Sequence, residues 1–481
     1  MMKQTHIGCE GDPMTIAFDH SYARDLPGTY LRAAPAPAPD PGLVVYNHPL
    51  AMSLGLTITE ADAARWFSGA ELPPGADPIA QAYAGHQFGG FSPQLGDGRA
   101  HLLGEVLDPA GARWDIQLKG SGRTPFSRGG DGKAALGPML REYLISESMA
   151  ALGVPTARAL AVVTTGEVVR RNTALPGAVL TRVAASHIRV GTFQFFASRG
   201  EAAQVKALAD YAIARHFPDL SDADQPYLAF LDAVIAAQAR LIARWMGLGF
   251  IHGVMNTDNM AISGETIDYG PCAFMEGYAP GTVFSSIDRQ GRYAYANQPQ
   301  ILGWNLARLA ETLVPLLDAD PDRAVDLAND RLGGIAARYR SEWLAVMRKK
   351  LGIEGEDAGD EALIDDLLTA ITGADWTLTF RRLADEARLR PLFDDFGAME
   401  AWLPRWHARA GEGAARRIAT ANPAVIPRNH KVEEALTAAT DGDLAPFHAL
   451  LAAIQQPFAE AEAYMLPAPS GFGPYVTYCG T

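Results

Sequence analysis

Cysteine, net positive charge and long apolar runs are all scarce in this chain of 481 residues. Its three cysteines, Cys9, Cys272 and Cys479, are too few for a disulfide framework or a four-cysteine zinc site. Asp and Glu number 55 against 41 Lys and Arg, so the formal net charge is −14. A chain this acidic is poorly suited to holding nucleic acid or an anionic membrane by bulk charge, and we expect neither as a partner.

The same scarcity bears on cell location. No apolar run follows a basic start at the N-terminus, and no uncharged stretch is apolar enough to predict a spanning helix. We therefore expect a protein of the reducing cytoplasm. Apolar residues make up 48% of the chain and charged residues 20%, which is typical of a globular protein. Local basic clusters in such a protein could still bind a small anion such as a nucleotide phosphate.

Strand-forming and helix-forming segments occupy different parts of the chain. A proline-rich link over 33–42 favours extended geometry, and the segment from about 80 to 190 is rich in Gly, Arg and β-formers. From about 201 onward the pattern is mostly helical, with one loop-rich stretch between 250 and 300. This order predicts an α+β protein of two lobes.

The first chemical motif is a glycine pair that enters a predicted β-hairpin. Within residues 94–107, Gly96 and Gly98 flank an aspartate and an apolar strand follows; after a four-residue turn, residues 113–119 alternate as a second strand. Glycine amides can approach phosphates closely, and Lys119 at the end of the second strand could reach the same phosphates. The alternative is that the glycines form ordinary turns and that the lysine is solvated.

Three further charged residues follow in apolar surroundings. Glu142 lies in a predicted helix over 137–152, where it could pair with Lys119 or remain a solvated surface residue. Arg182 and Arg189 lie in an apolar segment, which indicates either anion binding or buried ion pairs. Both interpretations remain open at this point.

The loop over 252–270 is the most informative stretch. Residues 260–268 predict a small hairpin that would bring Asn259 and Asp268 together on neighbouring strands. An amide oxygen and a carboxylate at one point suit Mg²⁺ or Mn²⁺, and Asp258 could accept a hydroxyl proton as a general base. The alternative is a polar turn in which Asn and Asp side chains bond their own backbone.

The order of these parts is that of a protein-kinase nucleotide site: a glycine loop, a strand lysine, a helix glutamate and two metal-binding loops. His252 precedes Asn259 by the spacing of the kinase catalytic loop, and Asp268 begins an Asp-Tyr-Gly segment. The position of the kinase catalytic aspartate is Val254. A conventional kinase would therefore lack its base here.

Over nearly its whole length the chain resembles the selenoprotein O family of kinase-like proteins. The motifs that carry the resemblance are YAGHQFGGFSPQLGDGRAHLLGE (83–105), WDIQLKGSGRTPFSRGGDGKAALG (114–137), REYLISESMAALGVPT (141–156) and HGVMNTDNM with IDYGP (252–271). The resemblance implies a two-lobed protein-kinase-like fold with a mostly helical C-terminal extension. Its expected parts are an N-terminal extension (1–80), an N-lobe (81–195), a C-lobe (196–320) and the helical extension (321–481).

The resemblance also implies an activity. Members bind ATP in a reversed orientation and transfer AMP to Ser, Thr or Tyr hydroxyls of proteins, releasing pyrophosphate, and some are reported to use UTP with Mn²⁺. The residues implied to bind the nucleotide are Gly96, Gly98, Arg99, Lys119, Asp131, Gly132, Arg182, Arg189 and Asp268. By the same resemblance Glu142 pairs with Lys119, Asn259 and Asp268 bind Mg²⁺ or Mn²⁺, and Asp258 is the base.

Two alternatives and one redox hypothesis complete the expectations. The chain could be a phosphotransferase, or an inactive pseudokinase scaffold that binds nucleotide, although a scaffold has no need of the intact set of Lys119, Glu142, Asn259 and Asp268. Family members often carry selenocysteine or cysteine near the C-terminus, where this chain has Cys479. We hypothesise a redox-sensitive disulfide between Cys272 and Cys479, with two unpaired thiols as the alternative.

Overall fold

An antiparallel sheet forms the N-terminal part of the protein in a computed structural model that describes residues 16–478. The strands are β1 (Tyr30–Arg32), β2 (Gly42–Tyr46), β3 (Ile79–Gln81), β4 (Gly85–Gln87), β5 (Gly90–Ser92), β6 (Ala100–Leu107), β7 (Arg113–Lys119), β8 (Ala134–Ala135), β9 (Arg158–Arg170), β10 (Ala174–Ala184), β11 (Phe250–Ile251) and β12 (Ala273–Phe274). The main sheet has the order β1-β3-β6-β7-β10-β9-β2, with β8 paired to β10. β4 pairs with β5 and β11 with β12 in two small separate sheets.

Helices dominate the C-terminal part, so the predicted α+β composition and its order along the chain are confirmed. The helices are α1 (Ser21–Asp25), α2 (His48–Ser53), α3 (Glu60–Phe67), α4 (Leu136–Ala151), α5 (Val190–Ala197), α6 (Ala202–His216), α7 (Pro226–Leu248), α8 (Gln298–Leu317), α9 (Pro321–Gly333), α10 (Ile335–Lys350), α11 (Asp360–Ala370), α12 (Trp376–Arg382), α13 (Glu386–Leu389), α14 (Gly397–Ala410), α15 (Ala414–Ala421), α16 (Asn429–Thr440), α17 (Ala445–Ile454) and α18 (Glu462–Met465). Short 3₁₀ turns occupy Pro218–Leu220, Thr257–Asn259, Tyr295–Asn297 and Arg390–Leu392.

Strand register places two cations on one face of the sheet. The predicted hairpin of β6 and β7 is confirmed, with Ala100 opposite Lys119. On the other side of β7, β10 pairs antiparallel so that Arg182 lies opposite Gln117. Directly opposed residues share a face, and so do residues two apart on one strand. Lys119 and Arg182 therefore project from the same side of the sheet.

Helix α4 packs across β9 and β10 on this same side. Its predicted range agrees with the structure to within one residue at each end. The opposite side of α4 is covered by α16 and α17, and the shared core includes Leu140, Tyr143, Val432 and Phe447. The C-terminal helical part therefore does more than pack on the helical lobe, because it also buries the helix that carries Glu142.

Helix α7 lies at the centre of the helical part, between α8 and α10. Within residues 16–478 it is the single helix long and apolar enough to cross a membrane by length and composition. Of its most apolar 18-residue window, 61% is buried inside the fold. Its apolar surface is thus covered by other helices of this chain.

The predicted hairpin over 260–268 is wrong. Ala261 forms an antiparallel bridge with Arg189, and Thr266 forms a parallel bridge with Thr156. The two halves of the loop therefore pair with the segments that leave β10 and enter β9. Buried backbone groups need hydrogen-bond partners, and short extended segments such as these take them from the nearest backbone. Here both partner segments come from distant parts of the chain.

A buried lysine at the end of α10 makes the stability of this helical part sensitive to pH. Lys350 is 5% exposed, donates to Asn422 Oδ1 at 2.9 Å and lies 4.1 Å from the Phe380 ring. Burial lowers the pKa of Lys350 from 10.5 to about 7. Between those values the unfolded chain binds more protons than the folded one, so the free energy of unfolding rises with pH.

We predict that Lys350→Met reduces this pH dependence. The stability of the variant relative to the wild type should fall by about 2–3 kcal/mol between pH 6 and pH 9, because only the wild type gains from deprotonation. Denaturant unfolding at several pH values measures the difference. Lys349→Met removes the same charge from the exposed neighbouring position and should show no such slope. If the stability of both variants relative to the wild type changed equally with pH, Lys350 would not be the source of the pH dependence.

Candidate active site

Four charged side chains meet where the sheet, α4 and the 252–270 loop come together. Lys119 Nζ lies 2.7 Å from Glu142 Oε2 and also bonds Asp268 Oδ1. Arg182 bonds the other oxygen of Glu142 and lies 2.8 Å from Asp268 Oδ1. We call these four residues the charge cluster. The side chains of Lys119, Glu142 and Arg182 are 5–6% exposed, whereas that of Asp268 is 35% exposed.

The cations of the cluster hold its two carboxylates in their charged forms. Burial acts to raise the pKa of Asp268, but the charges of Lys119 and Arg182 outweigh it and hold the pKa well below its usual range. The same two cations keep the pKa of Glu142 low against burial. Burial, together with the charge of Arg182, lowers the pKa of Lys119. Two buried cations thus share two carboxylates.

The glycine loop is fixed beside this cluster by a buried aspartate. Asp97 is 2% exposed and accepts bonds from the Gln81 amide at 3.1 Å and from Gln117 Nε2 at 3.2 Å. Burial raises the pKa of Asp97. Gly96 has φ +68°, and a side chain there would overlap the ring of Phe126. Local packing therefore explains this glycine without a ligand.

The remaining nucleotide candidates of the loop lie around these glycines. Gly98 passes so close to the backbone carbonyl of Phe126 that a Cβ would lie 3.0 Å from it. Arg99 acts electrostatically on both Lys119 and Asp268. Arg189 lies 4.2 Å above the Tyr83 ring. Arg99 and Arg189, two of the expected phosphate ligands, thus both act electrostatically on Asp268.

Arg189 also joins the glycine loop to the 252–270 loop. Its guanidinium lies 3.6 Å from Asp97 Oδ1, and its backbone pairs with Ala261. The Arg189 Nε is buried without a hydrogen-bond partner among the described residues. One side chain thus lies between the two loops that the sequence assigns to nucleotide and metal.

Asp131 and Gly132 lie in a separate turn. Asp131 accepts two bonds from Arg171, at 2.8 and 3.0 Å, and one from the Lys133 amide. Gly132 has φ +70°, and a Cβ there would lie 2.1 Å from the Gly122 carbonyl oxygen. Within residues 16–478, neither residue makes a hydrogen bond or ion pair with the charge cluster.

Asp258 lies in a 3₁₀ turn, Thr257–Asn259, and feels the charge of Arg189. It is 8% exposed, and its Oδ2 accepts a bond from Gln87 Nε2 at 3.3 Å. Its Oδ1 has no hydrogen-bond partner in the described part of the chain. Burial raises the pKa of Asp258 to about 6. A carboxylate with this pKa and a vacant oxygen can accept a proton at neutral pH.

The small hairpin of β4 and β5 covers this turn, a feature that the sequence analysis missed. The amide of His86 donates to Thr257 Oγ1 at 2.7 Å, and that of Phe88 donates to Asn256 Oδ1 at 3.0 Å. A Cβ at Gly85 would lie 2.5 Å from Asp258 Oδ1, so only glycine allows the strand to pass there. The sequence shows the residues of β4, Gly-His-Gln at 85–87, but their spacing matches no known catalytic motif, so it does not indicate a cover over Asp258.

No hydrogen bond joins the metal candidates Asn259 and Asp268 within the described residues 16–478. Asn259 Nδ2 donates to the Val254 carbonyl at 3.0 Å, which leaves its Oδ1 available. No group of three or more His, Cys, Asp or Glu side chains within residues 16–478 is arranged to hold a metal ion. One ionised carboxylate and one amide oxygen still form a hard donor set, which fits Mg²⁺ or Mn²⁺ when substrate phosphates supply the remaining ligands.

The structure describes only one of the two cysteines of the hypothesised disulfide. Cys272 is fully buried, and burial raises the pKa of its thiol to about 12. Cys479 lies outside the described residues. The tail reaches the neighbourhood, since Thr477 Oγ1 donates to the Pro271 carbonyl at 2.7 Å. A disulfide between Cys272 and Cys479 stays a prediction.

Comparisons with known proteins agree with the family resemblance. The model of the family described as protein adenylyltransferase SelO matches residues 13–455. A protein nucleotidyltransferase YdiU of Cereibacter sphaeroides (strain KD131 / KCTC 12085) is 65% identical, over 97% of this chain and 100% of its own length. Proteins of the same name from Rhizobium leguminosarum bv. trifolii and Rhodopseudomonas palustris are each 57% identical over 96% of this chain and 97% and 99% of their own lengths. The chain therefore belongs to the SelO family of protein adenylyltransferases.

Proposed function

We propose that this protein transfers AMP from ATP to Ser, Thr or Tyr hydroxyls of other proteins and releases pyrophosphate. The observation that carries the proposal is the buried charge cluster of Lys119, Glu142, Arg182 and Asp268, together with Arg189, which acts electrostatically on both Asp268 and Asp258. Transfer of AMP to a hydroxyl requires cations that bind the leaving phosphates and a group that accepts the hydroxyl proton. The family to which the chain belongs supports the choice of adenylyl transfer.

The proposed architecture is that of a protein kinase. Residues 81–195 form the N-lobe, 196–320 the C-lobe and 321–481 a helical extension, with 1–80 preceding them. A strand lysine paired with a helix glutamate, as in Lys119 and Glu142, supports this assignment.

In the proposed mechanism the cations bind the phosphates that leave. The acceptor oxygen attacks the α-phosphorus, the bond to the β-phosphate breaks, and negative charge develops on pyrophosphate. Lys119, Arg182 and Arg189 stabilise that charge because they are already fixed in place by buried partners. Arg99 and the amides of the glycine loop add further contacts.

Asp258 accepts the proton of the attacking hydroxyl. Its pKa of about 6 keeps it ionised at neutral pH, and its Oδ1 has no other partner among residues 16–478. Asn259 and Asp268 would hold Mg²⁺ or Mn²⁺. When bound, such an ion neutralises phosphate charge and orients the nucleotide. Asp131 and Gly132 are proposed nucleotide contacts on the resemblance alone.

The choice of label separates adenylyl transfer from phosphoryl transfer. With protein acceptors and Mg²⁺ or Mn²⁺, α-labelled ATP should mark the acceptor and γ-labelled ATP should not, because the β- and γ-phosphates leave together. Gel autoradiography measures both, and an α-labelled UTP arm tests the second nucleotide. Marking by γ-label alone would identify a phosphotransferase. Nucleotide binding without any marking would identify a pseudokinase scaffold.

We predict that Lys119→Ala lowers the rate of AMP transfer by at least about 100-fold, because it removes a preorganised cation from the leaving phosphates. The initial rate with α-labelled ATP measures this, and a thermal melt verifies that the variant is folded. Lys206→Ala is the matched control, since Lys206 is exposed and pairs with Asp210. A folded Lys119→Ala with the wild-type rate would exclude this residue from the site.

We predict that Asp258→Asn lowers transfer by about 10²–10⁴-fold, the range of a lost general base, with little change in affinity for ATP. Asparagine keeps the shape and still offers an oxygen to Gln87, so the fold should be retained. Single-turnover rates and nucleotide titration measure the two effects. An unchanged rate would assign the base to another residue.

A further inference from the structure

The covering hairpin has a second face that the catalytic site does not use. On this face the His86 ring lies 4.8 Å from Phe91 and 5.1 Å from Trp304 of α8. Two arginines stack on the same indole, Arg292 at 4.8 Å and Arg308 at 5.1 Å. We call these five residues the hairpin surface. Phe91 is 42% exposed, so the aromatic edge of the surface is open to solvent.

One strand joins this surface to the proposed base. Gln87, the residue after His86 on β4, donates to Asp258 Oδ2 at 3.3 Å. The amide of His86 itself bonds Thr257, the residue before Asp258. Because successive side chains of a strand project to opposite faces, the His86 ring and the Gln87 side chain lie on the two sides of the hairpin. A polypeptide that crosses the edge of this hairpin would contact both the hairpin surface and the turn of Asp258.

The charge of the surface is unusual for this protein. Arg292 forms no salt bridge with any carboxylate of residues 16–478, and its Nε has no hydrogen-bond partner there. Arg308 pairs with Glu311, whose side chain is 56% exposed and can move aside. In a chain of net charge −14, most arginines could find a carboxylate nearby. A guanidinium that lies over an indole and has no carboxylate partner among residues 16–478 is suited to a carboxylate brought by another molecule.

We propose that the hairpin surface binds the acceptor protein, through a segment that carries Asp or Glu within a few residues of the hydroxyl to be modified. The acidic side chain pairs with Arg292 and Arg308, and an apolar neighbour packs on Phe91. The inference rests on the proposed adenylyl transfer and names the substrate class of the same site. A phosphate of the nucleotide is not the expected occupant, since the cations of the charge cluster serve that purpose.

The test uses the full-length protein and three peptides that share one hydroxyl residue. The hydroxyl is flanked by Asp, Ala or Lys, and incorporation from α-labelled ATP is measured over a range of peptide concentrations. The Asp peptide should have a kcat/KM about tenfold above the Lys peptide, with the difference in KM, because unlike charges attract at the rim of an interface.

Charge reversal identifies the surface. Arg292→Glu should invert the preference, so that the Lys peptide becomes the better acceptor, while the KM for ATP stays unchanged. Arg292→Gln, which keeps part of the stacking on Trp304, should remove the preference without inverting it. Arg289→Glu makes the same charge change at an exposed position of the same loop and should keep the wild-type preference.

The outcomes separate this inference from the proposed function. Equal use of the Asp and Lys peptides by the wild type, or equal effects of Arg292→Glu and Arg289→Glu, would overturn the hairpin surface and leave adenylyl transfer standing. Failure of α-label to reach any of the peptides or any protein acceptor would overturn both. An inverted preference in Arg292→Glu alone supports both.

Discussion

The shared carboxylate of Glu142 is the contact on which the site depends. Its two oxygens bond Lys119 and Arg182, which come from adjacent strands, while Glu142 itself comes from α4. All three side chains are at most 6% exposed, and a buried charge without its partner costs several kcal/mol. The sheet and the helix are therefore held in one arrangement, and any change that displaces α4 also displaces Lys119 and Arg182, the two cations proposed to bind phosphate.

Asp268 differs from Glu142 in a way that matters for turnover. It bonds the same two cations, but its side chain is 35% exposed and it lies on a loop with φ +65°. Under the proposed function, a phosphate that approaches Lys119 and Arg182 would compete with Asp268 before Glu142, because only the side chain of Asp268 is partly exposed. Glu142 is the buried partner of the two cations and Asp268 the partly exposed one. In the proposed mechanism this difference would keep the cations preorganised and still accessible.

Sequence patterns predicted the local elements of this site but not the contacts between residues that are distant along the chain. The β6–β7 hairpin and α4 follow from alternation and from the residues at their ends. The pairing of Lys119 with Glu142, 23 residues apart, is one of two interpretations that the residues allow, and the family resemblance selects it. The bond from Lys119 to Asp268 spans 149 residues, and that from His86 to Thr257 spans 171. No periodicity encodes such contacts. The same limit explains the wrong hairpin at 260–268, whose halves pair with distant segments near Thr156 and Arg189.

The helical C-terminal part helps to hold α4 in position. α16 and α17 bury the outer side of α4, and Arg141, one residue before Glu142, bonds both the Cys272 carbonyl and the Tyr475 hydroxyl. Tyr475 in turn bonds Glu433 of α16 at 2.6 Å. The position of α4 is thereby fixed by the segment at Cys272 and by the tail at Tyr475 together. Because Glu142 moves with α4, loosening the tail would act on Lys119 and Arg182 without any contact between the tail and the nucleotide.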